Sequence, residues 1–380
     1  MKIAIMTQPL GHNYGGILQN YALTRILEDY DMEVTTINRL SPKRPLYRII
    51  LSKVKNQTFN RLTSNYYYAL TKKDRNNIYK ENLDFIDKYL NLSEPIYDSK
   101  SLKKYFAKNK FDAVIVGSDQ TWRPKYSPCI SNYFLDFLKK NKRIRKVAFA
   151  SSFGTGEWEF TAEQTKYFSK LAKKFDAISV RESSARLLCE RYLEVAAEHV
   201  LDPTLLLNKS DYIKLINDKK GLPAINNEYK LFNYILDDTQ EKREFVDQLS
   251  DLLGKKSFRT QPKSKMTRIN KDHLSEYRYP SIEQWLNSFY HADFIITDSF
   301  HGTALSVIFN KPFISLVNKE RGADRFISFL NTIGLEHRML NDICDFTPDF
   351  LNDEIDYKNV NSQLQLLKES SINFLKSSLI

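Results

Sequence analysis

Residues 292–316 read ADFIITDSFHGTALSVIFNKPFISL. FIIT and FISL are short, continuous apolar runs, the pattern of strands buried on both faces of a parallel sheet. GTALSVIFN between them has the apolar content and length of a helix. Strand, polar turn, helix and second strand together form the crossover unit of an α/β sheet. DSFHG is then the turn at a strand's carboxyl end, the position at which such sheets bind ligands.

The same unit recurs along the chain. KIAIMT is followed by HNYGG and by a helix in which Ile17, Leu18, Tyr21, Ala22, Ile26 and Leu27 fall at helical spacing; EVTTINRL then reads as a strand. FDAVIVGSD, RKVAFASSFG and FDAISVRES each end an apolar run in small and polar residues, and AAEHVLDPTLLL closes the first half. After a polar bridge at 208–227 the theme restarts with YKLFNYILDD, the amphipathic EKREFVDQLSDLLG, a short KKSFRTQP and SIEQWLNSFYHA. The expected fold class is α/β: two doubly wound, Rossmann-like domains facing a cleft. Residues 1–207 form the first, with a Lys- and Tyr-rich helical insertion at about 41–108, and residues 208–350 form the second. Residues 351–380 form a terminal helix that crosses back to the first domain.

Composition narrows the function classes. At 380 residues with 42% hydrophobic content the chain can bury two cores. No apolar run approaches the roughly 20 residues that span a bilayer, and the start does not read as a signal peptide, so a cytoplasmic protein is expected. Cys129, Cys189 and Cys344 are scattered, and the six histidines lack ligand spacing, so neither a disulfide framework nor a metal site is expected. The net charge of +11 is diffuse and carries no nucleic-acid module. It suits solubility, or peripheral association with an anionic inner membrane face, for which the basic stretch at 41–73 is one candidate.

The strand tips carry the chemistry. Ser299, Gly302 and Thr303 lie at the start of a helix, where unpaired N–H groups suit a phosphate or carboxylate. His301 titrates near neutrality and reads either as a proton donor or as a histidine bonded to a backbone carbonyl. Asp298 is a structural acceptor or orients His301. Arg181, just after a strand, offers a planar fork to an anion, or pairs with Glu182 or Asp202. Lys311, Lys319, Arg321 and Arg325 are further candidates for an anion clamp. Asp119, Gln120 and Trp122, with Asn13, Tyr14 and Gly15, suit contact with a sugar, although a core Trp is the commoner case. HNYGG lacks the dinucleotide fingerprint, and no nucleophile-elbow, Walker or kinase motif occurs.

In their order, HNYGGILQNYAL, DAVIVGSDQTW, AISVRES, VLDPTLLL and ITDSFHGTALSVIFNKPF resemble the polysaccharide pyruvyl transferase family. The resemblance implies a fold like the glycosyltransferase-B class. It also implies transfer of pyruvate from phosphoenolpyruvate, as co-substrate, onto two hydroxyls of a sugar as a ketal, with no cofactor or metal. The product would belong to an exopolysaccharide or capsule, and the acceptor to the polymer or its lipid-pyrophosphate-linked precursor. By the same pattern His301 is the general acid or stabilises the leaving phosphate, and Arg181 binds the donor with Ser299, Gly302, Thr303 and one of Lys311, Arg321 or Arg325. Position alone assigns Asp119 as a base near the acceptor, beside Gln120 and Asn13. Two other readings stand beside this one: a nucleotide-sugar glycosyltransferase on the same scaffold, and a glycan- or anion-binding protein without turnover.

Overall fold

The computed structural model of the chain describes residues 1–42, 51, 70–264, 269–317 and 322–380. Two wholly parallel sheets organise it. The first contains β1 (Lys2–Met6), β2 (Glu33–Thr36), β3 (Ala113–Val116), β4 (Arg145–Ser151), β5 (Ala177–Val180) and β6 (Glu198–His199), in the order β2-β1-β3-β4-β5-β6. The second contains β7 (Tyr229–Tyr234), β8 (Lys256–Phe258), β9 (Phe294–Thr297), β10 (Phe313–Leu316) and β11 (Met339–Leu340), in the order β11-β10-β9-β7-β8. Every residue of AVIV in β3, FIIT in β9 and FISL in β10 is buried, as strands covered by helices on both faces require. β6 and β11 are two-residue strands that extend the sheets beyond what the sequence pattern marks.

Strand order fixes where ligands can sit. Each sheet reverses direction once, between β1 and β3 in the first and between β9 and β7 in the second. At such switch points the crossover helices leave on opposite faces and open a crevice at the carboxyl ends. HNYGG follows β1 and GSDQ follows β3. DSFHG follows β9.

Of the expected insertion, residues 43–50 and 52–69, with most of the basic 41–73 stretch, lie outside the described residues. The remainder includes the helices Lys72–Ile78, Lys80–Tyr89 and Ser99–Asn109. The last helix, Tyr357–Leu379, leaves the second sheet and lies against the first. Ser371 Oγ accepts from the Leu201 amide at 3.0 Å, and Phe374 stacks on Phe149 of β4 at 6.3 Å. Among the described residues no helix is long and apolar enough to cross a membrane.

Candidate functional site

The turn after β9 begins the helix Phe300–Ile308, with Ser299 as its cap. His301 projects from its first turn into the space between the sheets and is 6% exposed. Beneath it runs the first turn of the helix Tyr14–Glu28, where a Cβ on Gly15 would stand 2.0 Å from His301 Nδ1. The glycine of HNYGG is therefore what admits the imidazole. Its ring belongs to one lobe and its floor to the other.

Opposite, Arg181 emerges from the end of β5, buried among three carboxylates. Nη1 donates to Asp202 Oδ2 at 2.5 Å, Nε lies 3.5 Å from Glu182 Oε1, and Nη2 lies 3.6 Å from Asp119 Oδ1. Burial works against its charge, yet these carboxylates hold its pKa above the ordinary arginine value. Asp202 Oδ2 also lies 3.9 Å from His301 Nε2 and accepts from Ser118 Oγ at 3.1 Å. One carboxylate oxygen thus links guanidinium and imidazole. Asp202 Oδ1 accepts from the amide and hydroxyl of Thr204 in its own DPT turn. Burial alone would raise its pKa, but Arg181 and the Thr204 donors bring it down to about 2.

His301 is affected in the other direction. Burial disfavours the imidazolium and brings its pKa down to about 4, although Asp202 and Asp119 pull upward. Arg325, buried on the helix Asp324–Thr332, is brought down to about 10 by burial and by Arg181. Both guanidinium groups face the Phe300 ring, Arg181 at 4.8 Å and Arg325 at 5.8 Å from its centroid. Among the described residues, Arg181 Nε and Nη2 and His301 Nε2 are buried without a hydrogen-bond partner. Buried polar atoms left so are uncommon and mark a place for a polar ligand.

The sequence model of the family described as polysaccharide pyruvyl transferase matches residues 13–320. The chain belongs to this family. Its transferases serve polysaccharide biosynthesis, and the matched span runs from Asn13 in the turn after β1 past the DSFHG turn after β9. No curated protein matches the chain in sequence. Among solved structures, the chain is similar to UDP-GlcNAc 2-epimerase from Neisseria meningitidis bound to UDP-GlcNAc, at 11% identity and a TM-score of 0.51, covering 100% of this chain and 94% of that one. It is also similar to UDP-GlcNAc 2-epimerase from Methanocaldococcus jannaschii, at 15% identity, a TM-score of 0.46 and coverage of 97% and 99%. Acinetobacter baumannii MurG gives 12% identity, a TM-score of 0.43 and coverage of 98% and 94%. The first likeness, with the two parallel sheets, places this pyruvyl transferase family member in the glycosyltransferase-B-like fold class.

Several residues expected at the site lie elsewhere. Trp122 is fully buried, stacked on Phe134 at 5.0 Å with Nε1 donating to the Tyr133 carbonyl, so its ring fills the first core and cannot meet a sugar. Tyr14 is buried too. Its hydroxyl donates to the Pro280 carbonyl at 2.6 Å and its ring stacks on Trp285, which pins the lobes together. Lys311 precedes β10, at the end of the Phe300–Ile308 helix opposite to His301. Burial and Lys209 lower its pKa there.

Gly302 and Thr303 turn toward the sheet. A Cβ on Gly302 would stand 2.3 Å from Thr297 Oγ1, and its amide donates to Ser299 Oγ at 3.4 Å. Thr303 Oγ1 pairs with Ser315 Oγ at 2.7 Å, and its amide donates to the Ser299 carbonyl. The cap consumes the donors expected to face an anion. Asp298 accepts from the Leu236 and Asp237 amides and from Lys242, and so acts structurally.

Gln120 is buried against Gly154, with Oε1 accepting from Arg123. Asn13 is exposed, with its side chain over Gly16. Lys319 and Arg321 lie outside the described residues. Glu182 and Asp202, which the sequence offered as ion-pair partners of Arg181, both pair with it and frame it with carboxylates. Cleft residues not anticipated are Phe300, between the arginines, and Tyr126. Tyr126 is 41% exposed on the turn after β3, with the buried Arg123 guanidinium 5.1 Å from its ring centroid. Its hydropathy resembles that of many surface tyrosines, whereas Asp202 carried a signal, a lone acid between VL and PTLLL.

Proposed function

We propose that this cleft binds phosphoenolpyruvate and transfers its pyruvyl group onto two hydroxyls of a sugar, in a surface polysaccharide or its lipid-linked precursor. One observation carries the reading: buried N–H groups of Arg181 and the Nε2 of His301 stand without hydrogen-bond partners at the facing strand tips. Arg325, across the Phe300 ring, adds a second cation. A donor bearing a phosphate and a carboxylate supplies the missing acceptors and relieves the repulsion between the arginines.

The pK values give His301 a conditional role. With a pKa brought down to about 4, it is neutral in the free protein near pH 7. Two anionic groups arriving beside it raise that pKa, so the proton is taken up with the donor. The imidazolium then protonates the methylene carbon of the enol ester while a sugar hydroxyl adds to the neighbouring carbon. That carbon next loses phosphate, and the second hydroxyl adds in its place to close the ketal, its proton leaving on the phosphate as hydrogen phosphate. Asp119, 6% exposed at the tip after β3, is the most accessible of the three carboxylates around Arg181 and accepts a hydroxyl proton. Asp202 touches neither substrate in this scheme; it positions Arg181 and His301. Phosphoenolpyruvate is a co-substrate, and the scheme uses no resident cofactor.

The test is incubation with phosphoenolpyruvate and a panel of polysaccharides and lipid-linked oligosaccharides, read by mass spectrometry for a ketal-bound pyruvyl group with release of phosphate. Thermal stabilisation by phosphoenolpyruvate but not by nucleotide sugars is expected alongside. Stabilisation by a nucleotide sugar alone, with no pyruvyl gain, would mean that the scaffold serves glycosyl transfer.

A further inference from the structure

The amino edge of the first sheet, opposite to the cleft, is a basic surface. The turns entering β3 and β4, which are neighbours in the sheet, carry Lys108, Lys110, Lys139, Lys140, Lys142 and Arg143, all exposed. None of the six forms an ion pair among the described residues, whereas Lys173, in the turn before β5, pairs with Glu194. Three acids near these turns accept hydrogen bonds from neighbouring groups. Asp112 accepts from the Lys2 amide, Asp176 from the Lys146 amide, and Asp136 from Ser131 and Asn132.

Within this surface lies an open groove of about 600 Å³ between the helix Ser99–Asn109 and the turn at 136–141. Phe106, Phe137 and Leu138 form its floor, Lys103, Lys139 and Lys140 its rim, and Asp136 also lines it. Cations around an apolar floor match the two parts of an anionic lipid, headgroup and acyl chain. A nucleic acid would use the cations and leave the floor unfilled.

We propose that this edge docks the protein on an anionic phospholipid bilayer, with the groove taking lipid at the headgroup boundary. The inference uses no residue of the cleft and is independent of the reaction proposed there. It also places the contact on a surface other than the 41–73 stretch.

Co-sedimentation of the full chain tests it. Vesicles of phosphatidylcholine containing about a third phosphatidylglycerol should carry the protein down, and pure phosphatidylcholine should not. Binding should fall steeply between about 0.1 M and about 0.5 M salt as the Debye length shortens. Lys139→Glu, Lys140→Glu, Lys142→Glu and Arg143→Glu together should weaken binding at least roughly tenfold, since each cation near the surface contributes to the attraction. Should that variant not fold, Lys140→Gln with Arg143→Gln should still weaken binding measurably with an unchanged melting temperature. Equal binding to neutral vesicles, no binding to the anionic ones, or full binding by the folded variants would each overturn the proposal. So would retention on RNA without sedimentation on lipid.

Discussion

His301 is buried against a carboxylate on one side and a glycine backbone on the other, and these surroundings set its proton affinity. Its folded pKa of about 4 lies below the ordinary 6.5 of the unfolded chain. Between those values the unfolded chain binds more protons, so stability rises with pH there. The contribution is complete above about pH 6.5 and is lost as pH falls toward 4, a change of roughly 3 kcal/mol. His301→Asn should flatten the stability profile over that window and abolish transfer. Denaturant midpoints of both proteins at several pH values measure the first effect, and parallel profiles would contradict the assigned burial. Asp202 titrates in a separate window, from its ordinary 3.8 down to about 2, and stabilises above it.

The two arginines should separate in the same way. Arg181→Met leaves Asp202, Glu182 and Asp119 without their cation and should cost about 3–5 kcal/mol of stability along with activity. Arg325 has a pKa lowered by burial and by Arg181. Arg325→Gln should therefore cost far less stability while raising the donor KM at least roughly tenfold. Equal melting temperatures for the two variants would refute this division of roles.

At the scale of elements, adjacent glycines in one helical turn provide the sharper test. A Cβ on Gly15 would stand 2.0 Å from His301 Nδ1, whereas one on Gly16 would meet only the exposed Asn13 side chain, at 3.2 Å. Helix propensity alone favours alanine at both sites by about 1 kcal/mol. Gly16→Ala should therefore be tolerated, while Gly15→Ala should displace the imidazole and reduce transfer at least about a hundredfold, since small displacements of reacting groups are that costly. Equal kcat values in the two variants would remove His301 from contact with the first lobe.

The sequence showed strands as uninterrupted apolar runs and sites as the polar residues ending them, so Arg181, Asp119 and His301 were readable from position along the chain. Direction was not. Trp122 follows the same tip as Asp119 but turns into the core, because an indole gains more from burial than from the cleft and finds a carbonyl for its N–H. Gly302 and Thr303 lie within two residues of His301 on a helix turn whose other side is the sheet. Lys311 was detectable in principle: about one helix length beyond His301, it must lie at the opposite edge.

On the scale of the molecule, the lobes share one apolar cluster. It runs without a break from Ile3 and Ile5 of the first sheet to Phe232 and Ile295 of the second, through Tyr14, Trp285 and Leu205, and it includes Leu375 and Leu379 of the last helix. Such continuity couples the lobes energetically, since neither can unfold without exposing apolar surface of the other. Near the cleft, a Cβ on Gly322, at φ 103°, would stand 1.8 Å from the Gly154 carbonyl oxygen, a second close approach between lobes. The chain should therefore melt in a single calorimetric transition despite its two sheets. Leu375→Ala, deleting a side chain that is 1% exposed in the crossing helix, should cost about 2–5 kcal/mol. It should also lower the midpoint of that one transition without splitting it. Two resolved transitions in the parent protein, or a midpoint shift in only one of two in the variant, would show the lobes to be independent. The cleft would then owe its geometry to contacts at the strand tips alone.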